Sequence, residues 1–211
     1  DPAAPVVRAI PYDFTQSGHA LCIIDTVSSH DDLTDEYAAI PQEMGKIAAH
    51  FGKSVLREVP EADFCSAMPA LRKECGDRAV LRALHFYQED RLAGEEAQTL
   101  MEGDFGGFLS LVKTSGASSI LRLQNIWSAG AVEHQAVALA LATAQNLLGE
   151  RGAVRVHGGG FAGTIQAFVP SELLDTFQAG MESLLGPGTC HILHIRAMGG
   201  GVIAPIGPAG K

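Results

Sequence analysis

The spacing of apolar residues changes period at Gly149, and neither an all-helical nor an all-strand fold accommodates both parts of the chain. Side chains return to one face of a helix every 3.6 residues and alternate across a strand, so one apolar pattern cannot serve both. Upstream, Leu33–Phe51, Phe64–Glu74, Arg78–Met101 and Ala131–Leu148 keep helical spacing. Leu81, Leu84, His85, Gln88 and Leu92 fall along one face of the third of these. Asp104 reads as the start of another helix through Leu109 and Val112, which Ile120–Leu123 extends. Downstream, Ala153–His157 alternates as a strand, Gly158–Gly163 is a glycine loop, and Thr164–Val169 is a second strand. Pro170-Ser171-Glu172 opens a helix that stops at Gly186-Pro187-Gly188, and Cys190–Arg196 is a last strand.

Near the start, His19–Asp25 is a compact apolar run that reads as a buried strand, after a turn at Ser17-Gly18. Val6–Phe14 suits an edge strand because Pro11 cannot donate to a ladder. Thr26–Asp32 is polar and reads as an exposed loop. Asp32 is the expected N-cap of the next helix, with Glu36 in its first turns. Pro41 is expected to kink or divide that helix, and Gly52 to cap its end. The order β–α–β–β–α–β predicts an α+β, ferredoxin-like two-layer sandwich, with an antiparallel sheet on one side and an enlarged helical layer on the other. Residues 1–18 read as a strand and connector, and 19–211 as one domain without repeat or linker. The opening Asp1-Pro2-Ala3-Ala4-Pro5 reads as the middle of a longer protein.

At 211 residues the chain has room for a substantial core, and 46% hydrophobic with 18% charged residues is an ordinary globular composition. Disorder is expected only in the Gly- and Pro-rich tail, Gly199–Lys211. The net charge of −9 opposes nucleic-acid binding, and no apolar run is long enough to span a bilayer. Cys22, Cys65, Cys75 and Cys190 form no CxxC pair, which favours free thiols and a reducing, cytoplasmic compartment over a disulfide framework or zinc site.

Gly158-Gly159-Gly160-Phe161-Ala162-Gly163 fits G-x-G-x-x-G as a string. The dinucleotide fingerprint needs a helix after it, and here a strand follows. Asp175 falls within the next helix rather than at a strand end, and no P-loop string is present. Two readings of the loop remain: a loose hairpin turn packed on a neighbour, or a loop whose backbone N–H groups approach a phosphate-bearing ligand. Tyr37, near a helix start, reads either as half-buried packing or as a phenol offering donor and acceptor to a ligand. His30, His85, His157, His191 and His194 share no ligand spacing and read as structural; His157 and Arg155 are weaker candidates for phosphate contact.

Several segments, in order, resemble one family. Val154-Arg155-Val156-His157-Gly158-Gly159-Gly160-Phe161-Ala162-Gly163-Thr164 resembles the galactokinase signature Arg-Met-Thr-Gly-Gly-Gly-Phe-Gly-Gly-Cys. Leu33-Thr34-Asp35-Glu36-Tyr37 is similar to that family's Leu-x-x-x-Glu-Tyr, with one residue fewer. Leu56-Arg57-Glu58-Val59 resembles its Leu-Arg-x-Val, Arg82–Glu89 its Arg-Ala-x-His-x-x-x-Glu helix, and Gly103-Asp104-Phe105 its Gly-Asp before a Phe- and Leu-rich helix. Departures are Ala38-Ala39 in place of two arginines, Ser115-Gly116 in place of Ser-His, and Ala162 and Thr164 in the loop.

The resemblance implies the C-terminal domain of a GHMP-type kinase that uses ATP and Mg²⁺ to phosphorylate galactose at its anomeric hydroxyl. It implies that Tyr37 bonds the sugar and that Gly158, Gly159, Gly160, Phe161 and Gly163 form a loop beside the nucleotide phosphates. It implies further that the catalytic Asp, the Ser-rich phosphate loop and the metal partners lie in an N-terminal domain preceding Asp1, so that this part alone is inactive. Another small-metabolite kinase of that superfamily, and a non-catalytic sugar- or nucleotide-sensing regulator, stay open as alternatives.

Overall fold

The computed structural model describes residues 6–28 and 33–195. Four strands form one antiparallel sheet in the order β2-β3-β1-β4: β1 (His19–Asp25), β2 (Ala153–His157), β3 (Thr164–Pro170) and β4 (Cys190–Leu193). β1 sits centrally, with Leu21 opposite Phe168 on β3 and opposite Leu193 on β4. β2 lies outside β3, with Val156 opposite Ile165. The helices are α1 (Thr34–His50), α2 (Glu61–Glu74), α3 (Asp77–Glu102), α4 (Phe105–Ser118), α5 (Ala136–Leu148) and α6 (Leu174–Leu185).

Alternation along the strands decides what each face of the sheet meets. Cys22, Ile24, Val154, Val156, Ile165, Ala167 and Val169 point to one face and pack under α5 and α6 against Val137, Ala140, Leu148, Phe177 and Met181. Each fully buried Ile, Val, Phe or Met there contributes about 1.5–3 kcal/mol. Leu21, Ala153 and Phe168 point the other way and meet Phe14, Phe105, Phe108, Leu109 and Val112. The expected helix-free face is thus covered by an aromatic cluster from the start of α4 and the 3-10 turn Phe14–Ser17.

The expected enlarged helical layer also takes a different form. Helices α1, α2 and α3 bury Ile47, Ala48, Phe64, Leu71, Ala79, Ala83 and Tyr87 among themselves, in a cluster to which the sheet adds no residue. Helix α3 joins this cluster to the rest through its opposite, polar face.

Local signals explain most boundaries. Asp13 accepts from Thr15 N at 3.0 Å, and this side-chain cap, with Pro11 withholding a donor, leaves 6–13 without the expected strand. Pro41 lies inside α1 without dividing it, and Gly52 (φ 66) donates to Ala49 O beyond its end. The N-cap position is Leu33, without a side-chain bond; Asp32 lies outside the described residues, as do His30, Arg196 and the tail Gly199–Lys211. Asp104 caps α4 by accepting from Gly107 N at 2.8 Å. Helix α5 begins at Ala136 rather than Ala131, because Gln135 Nε2 donates back to the carbonyls of Ala131 and Val132 and holds that stretch as a loop. Ser119–Leu123 continues α4 as a π-helical turn ended by Gln124 in the left-handed region (φ 57).

Candidate functional site

The glycine loop, 158–163, joins β2 to β3 at the end of the sheet where β1 stops and α1 begins. Gly158 (φ 75) and Gly160 (φ 79) supply left-handed backbone that other residues resist. Phe161 is also left-handed at φ 60, an outlier for a bulky side chain that costs on the order of 1–3 kcal/mol. It persists because its surroundings fix it. Its N–H donates to Asn125 O, and its ring meets Tyr37 edge-on at 5.3 Å. The Tyr37 hydroxyl donates to Gly160 O at 2.7 Å, and Asn125 Nδ2 donates to Gly159 O at 3.0 Å. At the far end, Thr26 donates to Gly163 O through both its N–H and its hydroxyl, and Gly163 N donates to Ser28 Oγ at 3.1 Å.

This seat leaves little room. A Cβ at Gly160 would stand 2.0 Å from Asn125 O, and one at Gly159 would stand 2.8 Å from Tyr37 Cε1. Gly158 and Gly159 are exposed while Gly160, Phe161 and Ala162 are buried. Among the described residues, the N–H groups of Gly158, Gly159 and Gly160 donate no hydrogen bond. The amides of two exposed residues beside left-handed backbone are donors that an anionic oxygen could meet. Burial pushes the Tyr37 phenol up from its ordinary value, so it stays protonated and keeps its donated bond at neutral pH.

The two segments read as ligand-facing in the sequence, Tyr37 and Gly158–Gly163, therefore meet although Tyr37 and Gly160 are 123 residues apart. His157 flanks the loop and pairs through Nδ1 with Thr164 Oγ1 at 3.0 Å. Arg155 turns away from it, toward Glu89 on α3, at 3.8 Å. His85 is buried and bonds Ser118 Oγ at 3.0 Å; burial holds its imidazole below the ordinary value. Glu89 accepts from Ser115 Oγ at 2.7 Å. Gly116 packs on the β2 backbone, where an added Cβ would stand 3.1 Å from Val154 O. The residue that sequence reasoning missed is Asn125. It lies outside every periodic segment, and only the turn at Gln124 aims it at the loop.

The fold is shared with small-molecule kinases. A Lactococcus lactis galactokinase complexed with galactose superimposes with a TM-score of 0.64 at 17% identity, over 83% of this chain and 45% of that one. A mevalonate kinase from L. major, in complex with R-mevalonate, gives 0.50 at 12% identity over 89% and 44% of the two chains.

Among sequences, the chain is similar to galactokinases. That of Actinobacillus pleuropneumoniae serotype 3 is 28% identical over 158 residues, covering 75% of this chain and 39% of the relative. That of Streptomyces coelicolor is 29% identical over 175 residues, covering 83% and 42%. No family model matches the chain. The resemblance drawn from the motifs is thus upheld: the chain resembles the C-terminal part of a galactokinase and spans about two fifths of the length of the curated relatives it matches.

Proposed function

We propose that the protein carrying this chain is an ATP-dependent kinase that phosphorylates galactose at its anomeric hydroxyl, giving galactose 1-phosphate. The observation that supports this reading is the meeting of Tyr37 with the glycine loop through the 2.7 Å bond to Gly160 O, which would set a sugar hydroxyl at the phenol beside phosphates at the loop. The exposed amides of Gly158 and Gly159 would face phosphate oxygens of ATP. Tyr37 has committed its proton to Gly160, so a sugar hydroxyl reaching the phenol would come to it as a donor. Gly160, Phe161 and Gly163 shape the loop from within its seat.

ATP would supply the transferred phosphoryl group. Among the described residues no three His, Cys, Asp or Glu side chains converge as a metal site, and Mg²⁺ would be held by phosphate oxygens of ATP and carboxylates of a preceding domain. The group that takes the hydroxyl proton would belong to a preceding domain, and the 211-residue chain alone would be inactive. Residues 19–211 then form the C-terminal domain, residues 1–18 the connector to the preceding one, and the sheet order with α5 and α6 on one face reads as a ferredoxin-like unit bearing an added three-helix cluster. Four free thiols favour a cytoplasmic setting. Among the described residues no helix is long and apolar enough to cross a membrane.

The test is ADP formation by the full-length protein with galactose and with other small acceptors, for wild type and Gly159→Val. Galactose-dependent turnover is expected, with the variant slowed at least tenfold and its circular dichroism unchanged. Turnover only with another acceptor would move the protein elsewhere among small-metabolite kinases. Galactose binding without turnover would make it a regulator. Unchanged kinetics in the variant would remove the loop from the mechanism.

A further inference from the structure

We propose, on the kinase reading above, that Asn125 is a positioning residue which holds the glycine loop in its donor-presenting form, and that Arg82 and Glu43 carry its placement back to the helix of Tyr37. Asn125 is 2% exposed, so it touches the loop and not a ligand. It grips the loop at two points, two residues apart, with different atoms. Its Nδ2 donates to Gly159 O, and its backbone carbonyl accepts from Phe161 N. The amide orientation is fixed, because the reverse would set Oδ1 against the Gly159 carbonyl. What it grips is the strained part: Phe161 at φ 60 and Gly160 at φ 79. Strained backbone of this kind relaxes unless its surroundings over-determine it.

The grip is anchored from behind. Gln124 turns the chain left-handed, and the carbonyl just before it, Leu123 O, accepts from Arg82 Nε at 3.2 Å. Arg82 is 1% exposed and donates through Nη1 to Glu43 Oε2 at 2.9 Å. Glu43 lies on α1, the helix whose Tyr37 bonds Gly160 from the other side. The path α1–Arg82–Leu123–Asn125–loop–Tyr37 therefore closes on itself. A ring of this kind fixes the distance between the phenol and the exposed amides of Gly158 and Gly159 more tightly than packing alone. It also gives Arg82 of the Arg-Ala-x-His motif a role in the site that it never touches.

Two substitutions in the full-length protein separate positioning from simple stability. Asn125→Ala removes the donor. It should raise hydrogen exchange at the Phe161 amide at least tenfold, lower kcat at least tenfold, and raise the KM for Mg-ATP more than that for galactose. Asn125→Asp keeps the shape but sets a carboxylate against Gly159 O. A buried carboxyl there takes up a proton more readily than an exposed one and then donates as the amide did. The ratio of its kcat to that of wild type should therefore climb as pH is lowered from 8 to 6, while the Asn125→Ala ratio stays flat. Exchange at Phe161 unchanged in Asn125→Ala, or a flat Asn125→Asp ratio in a folded variant, would overturn the assignment. If wild type makes no ADP from galactose, the kinase reading fails by itself, and the exchange measurement still decides whether Asn125 holds the loop.

Discussion

Helices α1–α3 are held to one another by apolar contact, with Phe64, Leu71, Ile47 and Ala83 all at 0% exposure, whereas the glycine loop is held by hydrogen bonds to its own carbonyls from Tyr37, Asn125 and Thr26. The contrast is one of tolerance. An apolar cluster accepts a change of shape at roughly constant volume for less than about 1.5 kcal/mol. The loop has no volume to exchange, since even a methyl group at Gly160 would overlap the Asn125 carbonyl. The first region supplies stability to the chain, and the second spends some of it on a strained backbone that presents exposed amides. Tyr37 on α1 bonds the loop directly, and Arg82 and Glu43 join the two regions a second time from behind.

The contrast can be broken most forcefully from the helical side. Phe64→Ala should cost about 3–5 kcal/mol, the usual loss for a large buried aromatic. Chemical denaturation measures it, and in the variant that remains folded the Phe161 amide should keep its protection. Simultaneous loss of that protection would show that the cluster and the loop are one cooperative unit. Gly160→Ala attacks the other region. The left-handed backbone alone costs about 1–3 kcal/mol, and the contact with Asn125 adds to it. Its signature should be lost turnover out of proportion to the fall in melting temperature.

The sequence predicts these two regions unequally. Strands β2 and β3, the loop between them and the Asp104 cap follow from alternation, glycine spacing and a capping side chain, all of which are local. Separate packing of α1–α3 is not local: the same helical periodicity serves a layer on the sheet or a cluster beside it, and only the partners of Phe64 and Leu71 tell them apart. The covered second face of the sheet is hidden for a similar reason, since Phe14 and Phe105 join Phe168 across long stretches of chain. Tyr37 and the loop are each visible as motifs, but Asn125 belongs to no pattern, and its role depends on a left-handed turn at Gln124 that no glycine announces.

Smaller effects sharpen the contrast. Tyr37→Phe should weaken galactose affinity by about 0.5–1.5 kcal/mol, the net value of one hydrogen bond. Isothermal titration of the full-length protein measures this, and unaltered affinity would return Tyr37 to a packing role. His85 gives a pH signature where the helix cluster meets α4. Burial depresses its folded-state value below 6.5, so the unfolded chain binds the proton more readily. Its contribution is complete above about pH 6.5 and is lost as pH falls through the folded value. Glu89, Arg155 and Arg122 face it, and Glu96, about three turns along α3 and raised by burial, acts in the opposite sense around the carboxylate range. The slope of melting temperature between pH 7 and 5.5 should therefore flatten in His85→Asn, and an unchanged slope would remove His85 as its source.

The claim that Tyr37 and the glycine loop act as one unit is tested most directly by a double-mutant cycle. Tyr37→Phe, Gly159→Ala and their combination would be compared by kcat/KM for galactose in the full-length protein. A methyl group at 159 pushes on the Tyr37 ring and draws its hydroxyl off Gly160, so once that hydroxyl is gone the methyl has less to disturb. A coupling of at least about 0.5 kcal/mol is expected, with the double variant less impaired than the sum of the single ones. Strict additivity would contradict it.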